Sequence, residues 1–346
     1  MKTKFFSFFA ASAMLFAASC SSTDIEESLI PEEPVIGDCV SVNVAVPESD
    51  MSMSRAVPDG WALRCVLWLV SVDDEGNPIP DPDAQQSNKA KMKTLVAPYE
   101  AGVPLRFTGV EPGKYALCAF CNYVKSTETS NISGMTPYGL NGVGLKNGDN
   151  FQFVVSMGQD TSEGIVNVFN DIYDCWKQKV VFEKTDVNAT QSITLKRAVS
   201  KVNFNVTGSD FSTANLASLK IFGSRYYVGI DLWSDNPCRT ANGTIDATIT
   251  DWQDGANTLA SIYLPKQAQA INFTLTPISD DIDVTFKKVT VKNLLFDKVN
   301  VIYNVNGNML LDAGTNVTVN VTVDNQWGND EAMNNPDIEF ANPAVN

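Results

Sequence analysis

Two cysteines of this sequence, Cys118 and Cys121, have the CxxC spacing of metal-binding and redox-active pairs. Such a pair binds zinc or cycles between dithiol and disulfide when both thiols face the same way. These two lie within the alternating apolar run KYALCAFCNY, which predicts a β-strand. Residues three apart on a strand point to opposite faces. We therefore expect no zinc site and no thioredoxin-type pair here, and no metal ligand among the cysteines after Cys20.

The chain contains no histidine. This excludes Ser-His-Asp and Cys-His catalysis as well as every histidine-ligated metal site. Paired carboxylates can hydrolyse glycosidic bonds without histidine, but no spacing of the acidic residues selects a pair. Asp280, Asp281 and Asp283 lack the spacing of an EF-hand loop and are expected to form a solvated turn rather than a calcium site. The sequence thus predicts a protein that is not an enzyme and has no cofactor.

The N-terminal segment suggests covalent modification at Cys20. Two lysines precede an apolar run at 5–18 and small residues that end on Cys20, which is the pattern of a secretory signal peptide over residues 1–19. A cysteine in this place matches a bacterial lipoprotein signal, in which Cys20 becomes the acylated N-terminus. Because Ala17 stands where such signals usually have Leu, an ordinary signal peptide with an incidental cysteine stays open. Both alternatives predict export.

Six further cysteines follow the signal segment. In an oxidising compartment they could form three disulfides, or they could remain buried structural thiols, which we expect of most of them. Their pairing is left open by the sequence. The six are Cys39, Cys65, Cys118, Cys121, Cys175 and Cys238.

Composition allows well-packed cores. The chain has 346 residues, of which 44% are hydrophobic and 19% charged, enough for two ordinary domains. A net charge of −15 argues against nucleic acid as a partner, because proteins that bind nucleic acid need a basic surface.

Short alternating runs separated by polar turns dominate the chain after an acidic linker at 20–34, and they predict an all-β sandwich fold. Short helices are expected only around Leu140 and at 165–177. The strand CVSVNVAV at 39–46 and the terminal run NVTVNVTV each put four valines on one face. These valines are Val40, Val42, Val44 and Val46 in the first run and Val317, Val319, Val321 and Val323 in the second.

Four segments, taken in their order along the chain, resemble the fimbrillin family of Bacteroidota, the lipoprotein subunits of type V pili. The lipoprotein signal is followed by acidic residues similar to a surface-export signal, by one alternating strand, and by a lone arginine in SDMSMSRAVPDG. The runs EPGKYALCAFCNY and ITLKRAVSKVNF resemble the family's hairpin strand and its L-x-R-x-V-A-K-V motif. Residues 299–327 are similar to its N-x-x-G-x-L-L turn and terminal strand.

The resemblance implies two tandem transthyretin-like β-sandwich domains, at 35–190 and 191–328, with a polar tail at 329–346. It also implies maturation by cleavage between Arg55 and Ala56, which removes residues 35–55 with the valine strand Val40 to Val46. Another subunit's strand then fills the groove, and the terminal run beginning near Val317 is the candidate donor. The implied partners are other fimbrial subunits, the outer membrane through the lipid anchor, and a host or bacterial surface ligand.

Four alternatives remain at this point. The first strand could be permanent and Arg55 an ordinary loop residue, and the terminal run could be the last strand of its own sandwich. Arg64 is a weaker cleavage candidate because it lies inside the buried-strand pattern LRCVLWLV. In a different class of function, the chain could be a monomeric surface lipoprotein that binds glycans for a polysaccharide-uptake system, with Trp233 or Trp252 as its aromatic platform.

Overall fold

The fold is nearly all β. The computed structural model describes residues 37–47, 59–84, 88–132, 138–140, 143–157, 166–167, 172–207, 216–250, 257–279, 286–310 and 319–324. In these ranges a 3₁₀ turn at Ser126–Glu128 is the one helical element. None of the helical structure that they contain is long and apolar enough to cross a membrane. The all-β prediction is confirmed.

The described residues form strands joined by short turns. The strands that begin before residue 185 are β1 (Val40–Ala45), β2 (Trp61–Ser71), β3 (Met92–Pro98), β4 (Leu105–Phe107), β5 (Gly113–Lys125), β6 (Tyr138–Gly139), β7 (Leu145–Asn147), β8 (Asn150–Gln152), β9 (Val154–Met157), β10 (Val166–Asn167) and β11 (Cys175–Lys184). Those that follow are β12 (Ala189–Thr194), β13 (Lys196–Arg197), β14 (Val199–Val206), β15 (Leu216–Asp231), β16 (Cys238–Ile249), β17 (Thr258–Pro265), β18 (Ile271–Ser279), β19 (Val289–Leu294), β20 (Ile302–Gly307) and β21 (Val319–Asp324).

A five-stranded sheet in the order β13-β11-β5-β2-β3 is buried on both faces along its strands β5 and β2. Alternate residues of β2 enter two different hydrophobic cores: Leu67 lies in one and Trp68 in the other, and neither is more than 1% exposed. Along β5, Leu117 and Phe120 divide in the same way. This sheet is therefore a central layer with packing partners on each side.

The smaller core lies between the central sheet and a three-stranded sheet in the order β12-β1-β4. We call it the β1 core. It contains all four valines of the first strand together with buried side chains of β2, β5 and β12, such as Leu67, Leu117 and Ile193. The first strand is thus an integral part of a two-sheet sandwich.

The larger core lies on the other face of the central sheet. It contains side chains of two further sheets, in the orders β10-β17-β14-β20-β21 and β19-β18-β15-β9-β6, with β16 paired to β15. Three short strands that precede residue 190 join these sheets: β6 and β9 extend the sheet of β15, and β10 pairs with β17. The domain boundary near residue 190 stays a prediction.

The helices expected around Leu140 and at 165–177 are wrong wherever the structure describes those residues. Leu140 directly follows strand β6, and Val166 and Asn167 form β10. Cys175 to Lys177 begin β11, because their backbones pair with β5 across the central sheet. Local sequence did not show this pairing, and the partner strand decides the conformation.

Candidate functional site

The first strand, β1, lies between two strands of different direction. It pairs in parallel with β12 over its whole length, from Val40 to Ala45. It pairs antiparallel with β4 only as far as Val42, which lies opposite Leu105. In the described part of the chain, the β4 edge of Asn43 to Ala45 has no partner strand. One edge of β1 is therefore fully paired and the other only half paired.

The inward face of β1 is apolar and closed to solvent. Because side chains alternate along a strand, the valines point into the β1 core while Asn43 and Ala45 are exposed. The exposed fractions of the buried side chains are 0% for Val40, 0% for Val42, 8% for Val44 and 4% for Val46. Burying a valine contributes about 1.5–3 kcal/mol, so this face contributes roughly 6–12 kcal/mol, comparable with the ~5–15 kcal/mol net stability of a domain.

Both ends of β1 are also held by hydrogen bonds to side chains, in addition to its backbone pairing with β12 and β4. At its start, the backbone N–H of Cys39 donates to Oδ1 of Asn188 at 3.0 Å, and the Lys184 ammonium donates to the Gly37 carbonyl at 3.0 Å. At its end, the N–H of Val46 donates to the Tyr99 hydroxyl at 3.1 Å. These contacts fix the register of β1 between its neighbours.

A shallow cavity of about 140 Å³ lies against the half-paired edge of β1. Val44, Tyr99, Val103 and Leu105 are among the residues that line it, and half of the Val103 surface is exposed. An apolar side chain from a longer or differently placed strand could enter this cavity. The groove that holds β1 is thus incompletely filled at the end nearer to Val46.

The predicted maturation residues lie outside the described residues. Cys20 falls in the N-terminal segment, and Arg55 and Ala56 fall between β1 and β2 along the sequence. Cleavage after Arg55 would remove the covalent link from β1 to β2. The strand would then be held to the rest of the sandwich by the contacts described above alone.

Arg64, the weaker cleavage candidate, is fully buried on β2. Its guanidinium donates to Oδ1 of Asn122 at 3.1 Å and to the Asn131 carbonyl at 2.6 Å. Burial lowers its pKa from 12.5 to about 10. A protease needs an exposed, extended segment, so Arg64 does not offer a site in the folded chain.

The candidate donor strand pairs within its own subunit. Val317 lies outside the described residues, while Val319, Val321 and Val323 belong to β21. β21 pairs antiparallel with β20 and ends its five-stranded sheet. Val321 and Val323 are half-buried against the larger core. Its position at a sheet edge suits exchange, but in this subunit β21 completes a sheet.

The thiols of the CxxC pair lie in different cores, as the strand pattern predicts. Cys121 lies in the β1 core and Cys118 in the larger core. Among the described residues there is no group of three or more cysteine or carboxylate side chains that could hold one metal ion. The cluster Asp280 to Asp283 lies outside those residues.

Of the two tryptophans proposed as a glycan platform, the structure describes only Trp233. It is half-buried; its ring stacks on Phe153 with 4.5 Å between centroids, and the Lys179 ammonium lies 4.2 Å from its centroid. Trp252 lies outside the described residues. An open cavity of about 420 Å³ elsewhere has mixed acidic and basic lining, including Asp81, Lys91 and Glu111. Trp233, half-buried and in contact with Phe153 and Lys179, does not present an open aromatic face.

Several residues that build the groove gave no signal in the sequence. β12 supplies the whole parallel edge, although ATQSIT has weak alternation. Asn188 and Tyr99 bind the ends of β1 across sequence separations of 149 and 53 residues. Such long-range contacts leave no local pattern, so the sequence could indicate strands of the site but not how they pair.

The model of a family of unknown function, DUF6562, matches residues 33–341. No protein with a curated description matches the chain. The solved structures that resemble it include three in which 82% or 83% of this chain and 96% or 97% of the other chain are covered. They are a candidate polysaccharide-binding protein from Bacteroides thetaiotaomicron (11% identity, TM-score 0.45), the fimbrial anchor protein Mfa2 from Porphyromonas gingivalis (12%, 0.41) and a fimbrial assembly protein from Parabacteroides distasonis (13%, 0.38).

Proposed function

The chain belongs to the DUF6562 family, and we propose that it is a non-catalytic surface lipoprotein that serves as a structural or adhesive subunit of a fimbria. The observation that carries the proposal is β1, an N-terminal strand that fills an apolar groove in the core and is followed by a polar segment containing Arg55.

The proposed mechanism is strand exchange. A protease cuts between Arg55 and Ala56, β1 leaves, and a strand of another subunit takes its place between β12 and β4. The incoming strand gains backbone hydrogen bonds from both neighbours, and its alternate apolar side chains fill the pockets of the four valines. Because those valines contribute an energy comparable with the stability of a whole domain, the cut subunit is strongly driven to bind a replacement.

The floor of the groove is formed without β1. This floor is the central sheet, where β2 pairs with β5 over eleven residue pairs from Trp61–Lys125 to Ser71–Tyr115. β12, which pairs with β1 along its whole length, is followed after one residue by β13. β13 pairs with β11 of the central sheet, so the end of β12 is attached to the floor. Withdrawal of β1 therefore opens an apolar slot while the central sheet keeps its own strand pairs.

The donor we propose is the terminal run Val317, Val319, Val321 and Val323, supplied by a second subunit. It has the same apolar spacing as β1, and its described part, β21, lies at the edge of its sheet. Delivery of the precursor to the outer membrane follows from acylation at Cys20, and cleavage after Arg55 releases the body of the subunit from that anchor.

The test is to treat the purified precursor with an arginine-specific protease and to follow assembly in detergent-containing gels. We expect a fragment that begins at Ala56 and then oligomers that resist detergent. Arg55→Ala should block both. Arg106→Ala is the matched control, because Arg106 is exposed on β4 beside β1, and it should cut and assemble normally.

Cleaved protein that stays folded and monomeric would contradict the proposal. The glycan-binding alternative would then account better for the chain, since such a protein keeps its first strand and gains nothing from cleavage. Titration of polysaccharides against the uncut precursor would test that alternative.

A further inference from the structure

Two thiols meet beneath the first strand. Cys65 on β2 and Cys121 on β5 lie directly opposite each other in the antiparallel pairing of these strands. Their Sγ atoms are 2.8 Å apart, about 0.8 Å more than the ~2.0 Å of a disulfide bond. Both residues have no exposed surface and belong to the β1 core. Directly opposed residues of antiparallel strands have Cα atoms ~4.5–5.5 Å apart, which is within the range that a disulfide spans.

The other cysteines near this pair face away from it. Cys118 lies opposite Trp68 on the same two strands, and its side chain enters the larger core. Cys175 lies opposite Asn122, also with its side chain in the larger core. The central sheet therefore separates these two thiols from Cys65 and Cys121. Among the cysteines that the structure describes, Cys65 and Cys121 are then the two that lie in the β1 core.

We propose that Cys65 and Cys121 are joined by a disulfide in the exported protein. The two thiols lose two protons and two electrons as the S–S bond forms, and a disulfide of a thiol-oxidising protein or of oxidised glutathione is reduced to two thiols. Burial raises the pKa of the Cys121 thiol well above its usual value, so the reactive thiolate is disfavoured once the chain has folded. The bond therefore forms while β2 and β5 are pairing, before the β1 core closes.

The bond deepens the proposed function, on which this part of the inference rests. It closes a loop of 56 residues and joins the two strands that form the floor of the β1 groove. A cross-link of this kind lowers the entropy of the unfolded chain. The floor would then remain paired when β1 is withdrawn, which keeps the slot ready for an incoming strand.

The first test is chemical. The full-length protein is isolated from the cell envelope, its free thiols are alkylated under denaturing conditions, and it is digested without reduction. Mass spectrometry should find the peptides of Cys65 and Cys121 linked, with Cys118 alkylated. Alkylated Cys65 and Cys121 would overturn the proposal. This readout does not depend on fimbrial assembly, so a linked pair in a protein that fails to assemble would contradict the proposed function alone.

The second test uses redox-dependent stability. A disulfide of this loop length should raise Tm by about 5–10 °C, so a phosphine reductant should lower the Tm of the wild type and of Cys118→Ala by that amount. Cys65→Ala and Cys121→Ala should show no response to the reductant. Each protein is compared with and without reductant, so a change in Tm caused by the substitution itself does not enter the comparison. If the wild type and both cysteine variants respond alike to the reductant, the proposal fails.

Discussion

Val44 of β1 lies in parallel register with Ile193 of β12, and both side chains are buried in the β1 core. They are separated in sequence by almost half of the chain, yet they are neighbours on adjacent strands in the same core. Parallel pairing requires a long connection between the strands, and here that connection contains the whole central pair of β2 and β5. The first strand therefore closes a sandwich whose remaining strands come later in the chain.

Replacing Val42 by Asp should destabilise the fold by about 3–5 kcal/mol, because a carboxylate would be buried without a partner. Asn43→Asp is the matched control: it adds the same side chain to the exposed face of the same strand, where changes stay within about 0.5 kcal/mol. Urea unfolding of the two variants measures the difference. Equal stabilities would mean that β1 does not contribute its valine face to the fold.

The arginine of the ITLKRAVSKVNF run, Arg197, forms a fully buried salt bridge with Asp174, in which Nε lies 2.9 Å from Oδ1. Removing one member of a buried pair leaves an uncompensated charge, so Arg197→Met should cost about 3–5 kcal/mol. The double variant Arg197→Met with Asp174→Leu should be more stable than the single variant. Urea unfolding checks both, and a double variant that is less stable than the single would contradict this electrostatic explanation.

Burial raises the pKa of the Cys118 thiol from 9.0 to about 12. The folded chain keeps the proton that the unfolded chain loses, so the contribution of this thiol is complete below pH 9 and is lost as the pH rises from 9 through 12. The difference in unfolding free energy between wild type and Cys118→Ala should therefore be constant from pH 6 to 8. Above pH 9 the unfolding free energy of the wild type should fall relative to that of Cys118→Ala, by up to ~1.4 kcal/mol per pH unit. A difference that stays constant to pH 11 would contradict the predicted shift.

Replacing Cys20 by Ser should abolish incorporation of a fatty-acid analogue and release the exported protein from the membrane fraction. The reason is that a serine at this position cannot form the thioether that attaches the lipid. Cys39→Ser is the control for loss of a thiol, since Cys39 is half-exposed at the start of β1. Undiminished labelling of Cys20→Ser would rule out the lipid anchor.

Sequence alone located the strands whose alternation is regular, including β1, whose valines are buried as expected. It identified β2 as a buried strand because the run from Leu63 to Val72 is apolar on both faces. It missed β11 and β16, since the polar runs CWKQKVVFEK and CRTANGTIDATI owe their extended conformation to pairing with β5 and β15. The pairing of Cys65 with Cys121 depends on strand register, and the register of such distant segments is set by tertiary packing.

The measurement that tests the central claim most directly is the N-terminal residue of the protein on intact cells, read by mass spectrometry in the detergent-resistant and detergent-soluble fractions. We expect Ala56 at the N-terminus in the detergent-resistant, assembled fraction, and acylated Cys20 in the soluble precursor. Arg55→Ala should leave only the Cys20 form. If the assembled fraction begins at Cys20, β1 is retained on assembly, and the claim that it is a removable strand is wrong.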